Sequence, residues 1–228
     1  VIYPNPGFPI YESMIRFAGA TPVPMHLYEE LGYNPDINEL RKQITPKTKL
    51  IIVNSPNNPC GSVIPEADLK AIAEMANEVD AVVLSDEIYK DFYFEGKHVS
   101  ITKFPGMRER TVVLDGLSKS YAMTGWRVGY GLFPDELVEP VTRLVTNSVS
   151  CTAAFSQMAA VAAIEAPQAS VLSMVAEFKR RRDIIVAGLN EIPGITCPEP
   201  KGAFYAFPNI TGTRLTSQEF EARLLDEA

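Results

Sequence analysis

From Leu50 to Tyr89 the sequence reads LIIVNSPNNPCGSVIPEADLKAIAEMANEVDAVVLSDEIY. It opens on one short apolar run, Leu50 to Asn54, and closes on another, Ala81 to Ser85. Between them, Pro65 to Val79 carries a proline and acids in its first turn and sets Leu69, Ile72, Ala76 and Val79 along one stripe. The runs read as buried strands and the stripe as a crossover helix. A strand, a crossing helix and a second strand make a parallel pair, because a tight turn cannot return the chain in the same direction.

Outward from this unit the pattern repeats. Thr21 to Leu27, Thr111 to Asp115 and Val128 to Phe133 are further short apolar runs that read as strands. The alternation predicts an α/β fold of three α/β/α layers around a mostly parallel, mixed sheet. After Phe133 the character changes, and Asp135 to Asn147, Ala153 to Glu165 and Ser170 to Glu191 read as successive helices. Pro193-Gly194 ends the last of them. Ile195 to Cys197 and Ala203 to Phe207 then read as short strands before a closing helix from Ser217 onward. The expectation is a large domain over residues 1–180 and the beginning of a smaller α+β domain over 181–228, divided inside the long helix near Lys179 to Ile184.

Composition narrows the function classes. The 228 residues are 46% hydrophobic and 21% charged, which is ordinary for a globular chain. No apolar run approaches the roughly 20 residues needed to cross a bilayer, and the first residues lack a basic-then-apolar leader, so no membrane partner and a cytoplasmic setting are expected. Cys60, Cys151 and Cys197 are odd in number and lack metal-like spacing, which suits reduced thiols in packing roles. A net charge of -7 without long like-charge blocks argues against a nucleic-acid surface. The short basic run Lys179-Arg180-Arg181-Arg182 is expected to form one solvated helix face. The chain opens on Val1-Ile2 and stops at Leu225-Asp226-Glu227-Ala228 within a helical pattern, so it reads as an internal segment of something longer.

Ligands of open parallel sheets sit beyond the carboxyl ends of the strands, where loops and helix N-termini meet. The unusual polar residues fall there. Asn54-Ser55-Pro56-Asn57-Asn58-Pro59 follows one strand, Asp86-Glu87-Ile88-Tyr89 the next, and Ser118-Lys119-Ser120 comes shortly after a third. The intervals from Asn58 to Asp86 and from Asp86 to Lys119 are each about one strand-helix-strand unit, so three loops point into one crevice. A lysine near an aspartate there can be a plain ion pair, and Asp86 alone reads as a helix N-cap. The small residues around Lys119 and the second cation at Arg127 favour a phosphorylated ring instead.

These stretches, with Ser118-Lys119-Ser120-Tyr121-Ala122-Met123-Thr124-Gly125-Trp126-Arg127 above all, resemble the aspartate-aminotransferase-like class I/II enzymes of fold type I. The resemblance runs essentially end to end. It implies pyridoxal 5'-phosphate as cofactor, with the Lys119 amine forming a Schiff base to its aldehyde and then moving the substrate α-proton. Asp86 would face the pyridine nitrogen and keep it protonated. Tyr89 and Asn58 would donate to the ring oxygen, Phe8 would stack on the ring, and Ser118 and Arg127 would bind the phosphate. It also implies amino acid and 2-oxo acid substrates and a homodimer.

Three departures from the family pattern limit these implications. Cys60 stands where a threonine is common, and Gly116 stands where some relatives carry a phosphate-binding hydroxyl. The regions that in relatives supply a first strand, a phosphate-cradling helix start and a carboxylate-gripping arginine have no counterpart here, and neither Arg214 nor Arg223 is assigned the last role. Two alternatives to an aminotransferase stay open: a lyase performing β-elimination with the same cofactor and lysine, and a catalytically incomplete piece.

Overall fold

The computed structural model describes residues 1–227. Strands β1 (Ile2–Asn5), β2 (Val23–Tyr28), β3 (Asn34–Pro35), β4 (Leu50–Asn54), β5 (Val82–Asp86), β6 (Thr111–Gly116) and β7 (Gly129–Leu132) form one sheet in the order β3-β2-β1-β4-β5-β6-β7. The pairs from β2 through β6 are parallel, and only the edges β3 and β7 run antiparallel. The mixed α/β sheet expected from the sequence is therefore present.

Alternation along the strands gives the two faces different work. Ile2, Ile51, Val53 and Val83 point to one face and pack under α3 (Glu66–Glu78), which buries Leu69, Ile72, Ala73, Met75 and Ala76. Burying Leu69, Ile72 and Met75 stabilises the fold by about 2 kcal/mol each, so an aspartate at Ile72, which is fully buried, would break this layer. Tyr3 and Ile52 point to the other face, where α1 (Ile10–Phe17) supplies Tyr11 and Ile15. The short α2 (Ile37–Gln43) is capped by Asp36, whose side chain accepts from the Asn38 and Glu39 amides.

Helices α4 (Asp135–Ser148), α5 (Ala154–Glu165), α6 (Ala169–Glu191) and α7 (Ser217–Glu227) follow. No single helix among the described residues is long and apolar enough to cross a membrane; α5 and α6 reach that length and composition only together, across an 82° bend.

Three expectations need correction. Residues 195–197 and 203–207 are not strands: the first makes one isolated bridge, Thr196 with Asn209, and the second makes none, the nearest being Tyr93 with Gly202 just before it. Pro198, Pro200 and Pro208 withhold the amides a ladder requires, and Ala203 sits at φ 56°. The basic run at 179–182 is not one solvated face, because successive helical residues turn by about 100° each. Arg180 and Arg181 do pair with Glu177 in solvent, yet Arg182 is only 8% exposed and donates to the Pro200 carbonyl and the Asp183 carboxylate. Cys60 and Cys197 are buried, whereas Cys151 is exposed and packs nothing.

Candidate active site

The carboxyl end of the sheet is stitched by Asn54, the last residue of β4. Its side chain donates to the Asp86 carbonyl (3.1 Å) and accepts from the Asn58 amide (2.8 Å). One side chain thus holds two strand ends and fixes the loop that carries Asn58. In-register pairing sets Asn54 beside Asp86, and Asp86 beside Leu114.

Asp86 ends β5 on the α1 face. One carboxylate oxygen accepts from the Tyr11 hydroxyl and the other from the Ile88 amide at 3.2 Å. The helix N-cap reading fails, because the chain after Asp86 forms a turn and not a helix, and the Ile88 contact occupies one oxygen only. Lys119 lies in the turn after β6, and its amine sits 5.7 Å from the Tyr89 ring centre and 5.6 Å from that of Phe204. Among the described residues neither Lys119 nor Asp86 has an ion-pair partner, so the two are not salt-bridged to each other.

Both nevertheless line one cavity of about 300 Å³, together with Phe8, Asn58 and Tyr89. Five of the seven residues singled out in the sequence therefore meet at one place. Ser118 and Arg127 lie outside that lining: Ser118 is half-buried, and Arg127 is exposed with φ 51° and donates to the Thr124 carbonyl at 2.9 Å. Gly116 leaves little room for a hydroxyl-bearing side chain, since a Cβ there would meet the Gly129 Cα at 3.0 Å. Cys60 faces Leu27, Tyr33 and Phe207, and burial pushes its thiol up to about 12, so it is an inert packing residue.

Sequence reasoning assigned no role to six further wall residues, the apolar Ile88 and Leu114 and the polar Tyr11, Asn54, Asp115 and Tyr205. Tyr11 had a signal, standing three residues after Phe8 at the start of α1. Asp115 had one too, ending a strand as Asp86 does. Tyr205 had none, since its contacts lie far away in the chain.

The two carboxylates of the cavity differ. Asp115 is held by the Lys90 ammonium and the Tyr130 hydroxyl. Asp86 has only neutral donors, and burial, reinforced by Asp115 and Glu87, raises its carboxyl above the ordinary range. Burial likewise pushes the Tyr11 and Tyr89 hydroxyls far above theirs, so both are protonated donors. A half-buried carboxylate without a cation, and a primary amine, a tyrosine, an amide and an aromatic side chain on the same cavity, suit a flat, nitrogen-bearing aldehyde: the donor set of a pyridoxal phosphate site.

Comparison with known proteins carries this further. A family model described as "Aminotransferase class I and II" matches residues 1–228. The chain is 42% identical to aromatic-amino-acid aminotransferase 2 of Thermococcus litoralis and 42% identical to an aspartate aminotransferase of Pyrococcus abyssi, covering 100% of this chain and 59% of each relative. The crystal structure of an aromatic aminotransferase from Pyrococcus horikoshii superposes with a TM-score of 0.95 at 39% identity, over 99% of this chain and 61% of that one. The chain belongs to the class I and II aminotransferases, whose members depend on pyridoxal phosphate, and it spans about three-fifths of the length of these relatives.

Proposed function

We propose that the protein carrying this chain is a pyridoxal-phosphate-dependent aminotransferase, moving an amino group between an amino acid and a 2-oxo acid. The observation that carries the reading is the placement of the Lys119 amine and the unpaired Asp86 carboxylate on one cavity of about 300 Å³. When bound, pyridoxal phosphate supplies an electrophilic carbon and a ring that accepts electrons.

The remaining work falls to the chain. Lys119 would anchor the cofactor, and its primary amine would serve as the group that takes and returns a proton at the substrate α-carbon. Asp86 would hold a proton on the ring nitrogen, and a cation at that place would compensate a carboxylate that burial otherwise penalises. Tyr89 and Asn58 would donate to the ring oxygen, and Phe8 would pack against the ring. Ser118 and Arg127 are proposed for the phosphate, a role that requires Arg127 to leave its Thr124 contact.

Residues 1–180 are read as the cofactor-holding body and 181–228 as the start of a second unit, although α6 runs unbroken from Ala169 to Glu191 across that division. A homodimer in the cytoplasm completes the reading. The outward Leu144, Val149, Phe155 and Met158 support a further protein surface there, and the unpaired cysteines suit a reducing compartment. Sedimentation of the loaded protein at twice the chain mass is the expected result.

Reduction of the cofactor-loaded protein with borohydride, followed by peptide mass mapping, should place the label on Lys119. Incubation with an amino acid alone should then give pyridoxamine phosphate and the 2-oxo acid in equal amounts. Pyruvate and ammonia without pyridoxamine phosphate would instead establish the lyase chemistry. Absence of label at Lys119 would end both.

A further inference from the structure

The loop between α6 and α7 enters the cavity from a distance in sequence. Residues 200–205 are clamped against two loops of the sheet's carboxyl edge: the Lys201 and Gly202 amides donate to the Gly61 carbonyl (2.9 and 3.0 Å), and the Ala203 amide to the Phe92 carbonyl (2.9 Å). The approach is close enough that a Cβ on Gly202 would stand 2.7 Å from Pro56 and from the Phe92 carbonyl oxygen. Arg182 ties the same segment to α6 through Pro200 and Glu199. So fixed, the segment presents Tyr205 to the cavity and packs Phe204 behind it against Tyr89. The Tyr205 hydroxyl is hydrogen-bonded to the Tyr89 hydroxyl, their rings are edge-on at 5.6 Å, and Phe204 stands edge-on to Tyr89 at 5.2 Å.

We propose that Tyr205 is a positioning residue for Tyr89: it donates to the Tyr89 oxygen and so directs the Tyr89 proton into the cavity, toward the cofactor's ring oxygen. The inference rests on the reading of the cavity as a pyridoxal phosphate site and adds a residue that reading does not contain. Two arguments support it. A hydroxyl that accepts a hydrogen bond becomes a stronger donor, so a Tyr205–Tyr89–ring chain polarises along its length. A Tyr89 hydroxyl without this partner is also free to rotate out of the cavity, and ordering it would then fall to the cofactor alone. The charged and titratable groups around the pair are Tyr11, Asp86, Asp115 and Lys119 on the cavity side and Arg181 and Arg182 of α6 on the other side of Tyr205, and the Tyr205→Phe change leaves all of them in place.

The readout is the visible absorbance of the bound cofactor, titrated with pH in the protein carrying this sequence. Removal of a proton from the lysine–cofactor link raises the negative charge on the ring oxygen, and a weaker Tyr89 donor stabilises that charge less. Tyr205→Phe should therefore move the titration midpoint upward, by roughly half a unit. Tyr89→Phe should move it further, and Tyr89→Phe combined with Tyr205→Phe should match Tyr89→Phe alone. A Tyr205→Phe protein that titrates like the parent overturns the proposal. So does a Tyr205→Phe shift that persists undiminished without the Tyr89 hydroxyl, because the effect would then bypass Tyr89. Failure of the parent protein to form any cofactor band at Lys119 removes the functional reading and this inference together. A normal band with a neutral Tyr205→Phe removes only the inference.

Discussion

The sheet treats two successive carboxylates in different ways on its two faces. Glu87 turns toward the α3 face, where Ser85 (2.9 Å) and Ser100 (2.7 Å) donate to one oxygen and His98 approaches the other at 2.7 Å. Burial penalises its charge, but these partners more than compensate and hold its carboxyl below the ordinary range. Asp86 turns toward the α1 face, receives only a phenol and one amide, and is shifted the other way. Burial alone therefore does not mark a functional acid. The mark is a buried charge whose local partners leave it short of compensation, in a cavity large enough for something else to supply it.

The largest effect should come from Lys119→Ala, which removes the anchoring amine. Turnover is expected to fall by at least about 10⁴-fold, with loss of borohydride-trapped cofactor in the mass map. Asp86→Ala comes next, at about 10³-fold in kcat with a smaller loss of cofactor affinity. Single-turnover absorbance should locate that defect in proton transfer. An equal loss in cofactor affinity and kcat would show that Asp86 only binds.

The opposite face gives the converse test. Glu87→Ala strands two serines and a histidine, and should cost about 3 kcal/mol of stability in chemical denaturation, with kcat of the remaining folded protein within a few-fold of the parent. A large kcat loss there would erase the distinction between the faces.

Acid titration separates the two carboxylates by sign. The Glu87 carboxyl is depressed by folding, so its stabilisation is fully present above the ordinary glutamate value of 4.5 and is lost as pH falls through its lower folded value. Melting temperatures between pH 3 and 6 should show that loss in the parent and not in Glu87→Gln. The Asp86 carboxyl is raised, so its contribution is present below the ordinary aspartate value of 3.8 and is lost as pH rises through its folded value. Asp86→Asn should accordingly stabilise the cofactor-free protein at neutral pH by about 1 kcal/mol. The smallest effect is expected for Tyr11→Phe, which removes the donor to Asp86: about a fivefold loss in kcat, equivalent to one ordinary hydrogen bond of about 1 kcal/mol, with a loss of stability no larger than that in chemical denaturation.

Legibility in the sequence followed the range of the interactions. β4, β5 and β6 could be read because strands covered on both faces are continuous apolar runs, and Asn58, Asp86 and Lys119 could be read because each lies within four residues of the end of such a run. β1 was not recognised, since Ile2–Asn5 is four residues long with a proline inside it. The two-residue β3 carries no periodic signal at all. At 195–207 local apolar content suggested strands, but the prolines and the left-handed Ala203 decided otherwise. Tyr205 was invisible for a different reason: it meets Tyr89 across 116 positions, and no local pattern encodes that contact. Arg127 shows the reverse case, conspicuous in its motif yet turned toward its own turn.

The pairing of Asn54 with Asp86, and of Asp86 with Leu114, makes the active edge of the sheet a matter of parity. Deleting one residue within Val82–Asp86 would swing Glu87 onto the α1 side, and inserting one would bring Ser85 there; in either case every neighbouring side chain of the strand is inverted with it. Length variation that keeps the chemistry is thus confined to even steps in the strand or to the loops, such as the stretch between Phe92 and Ser100, where a step of one changes no face.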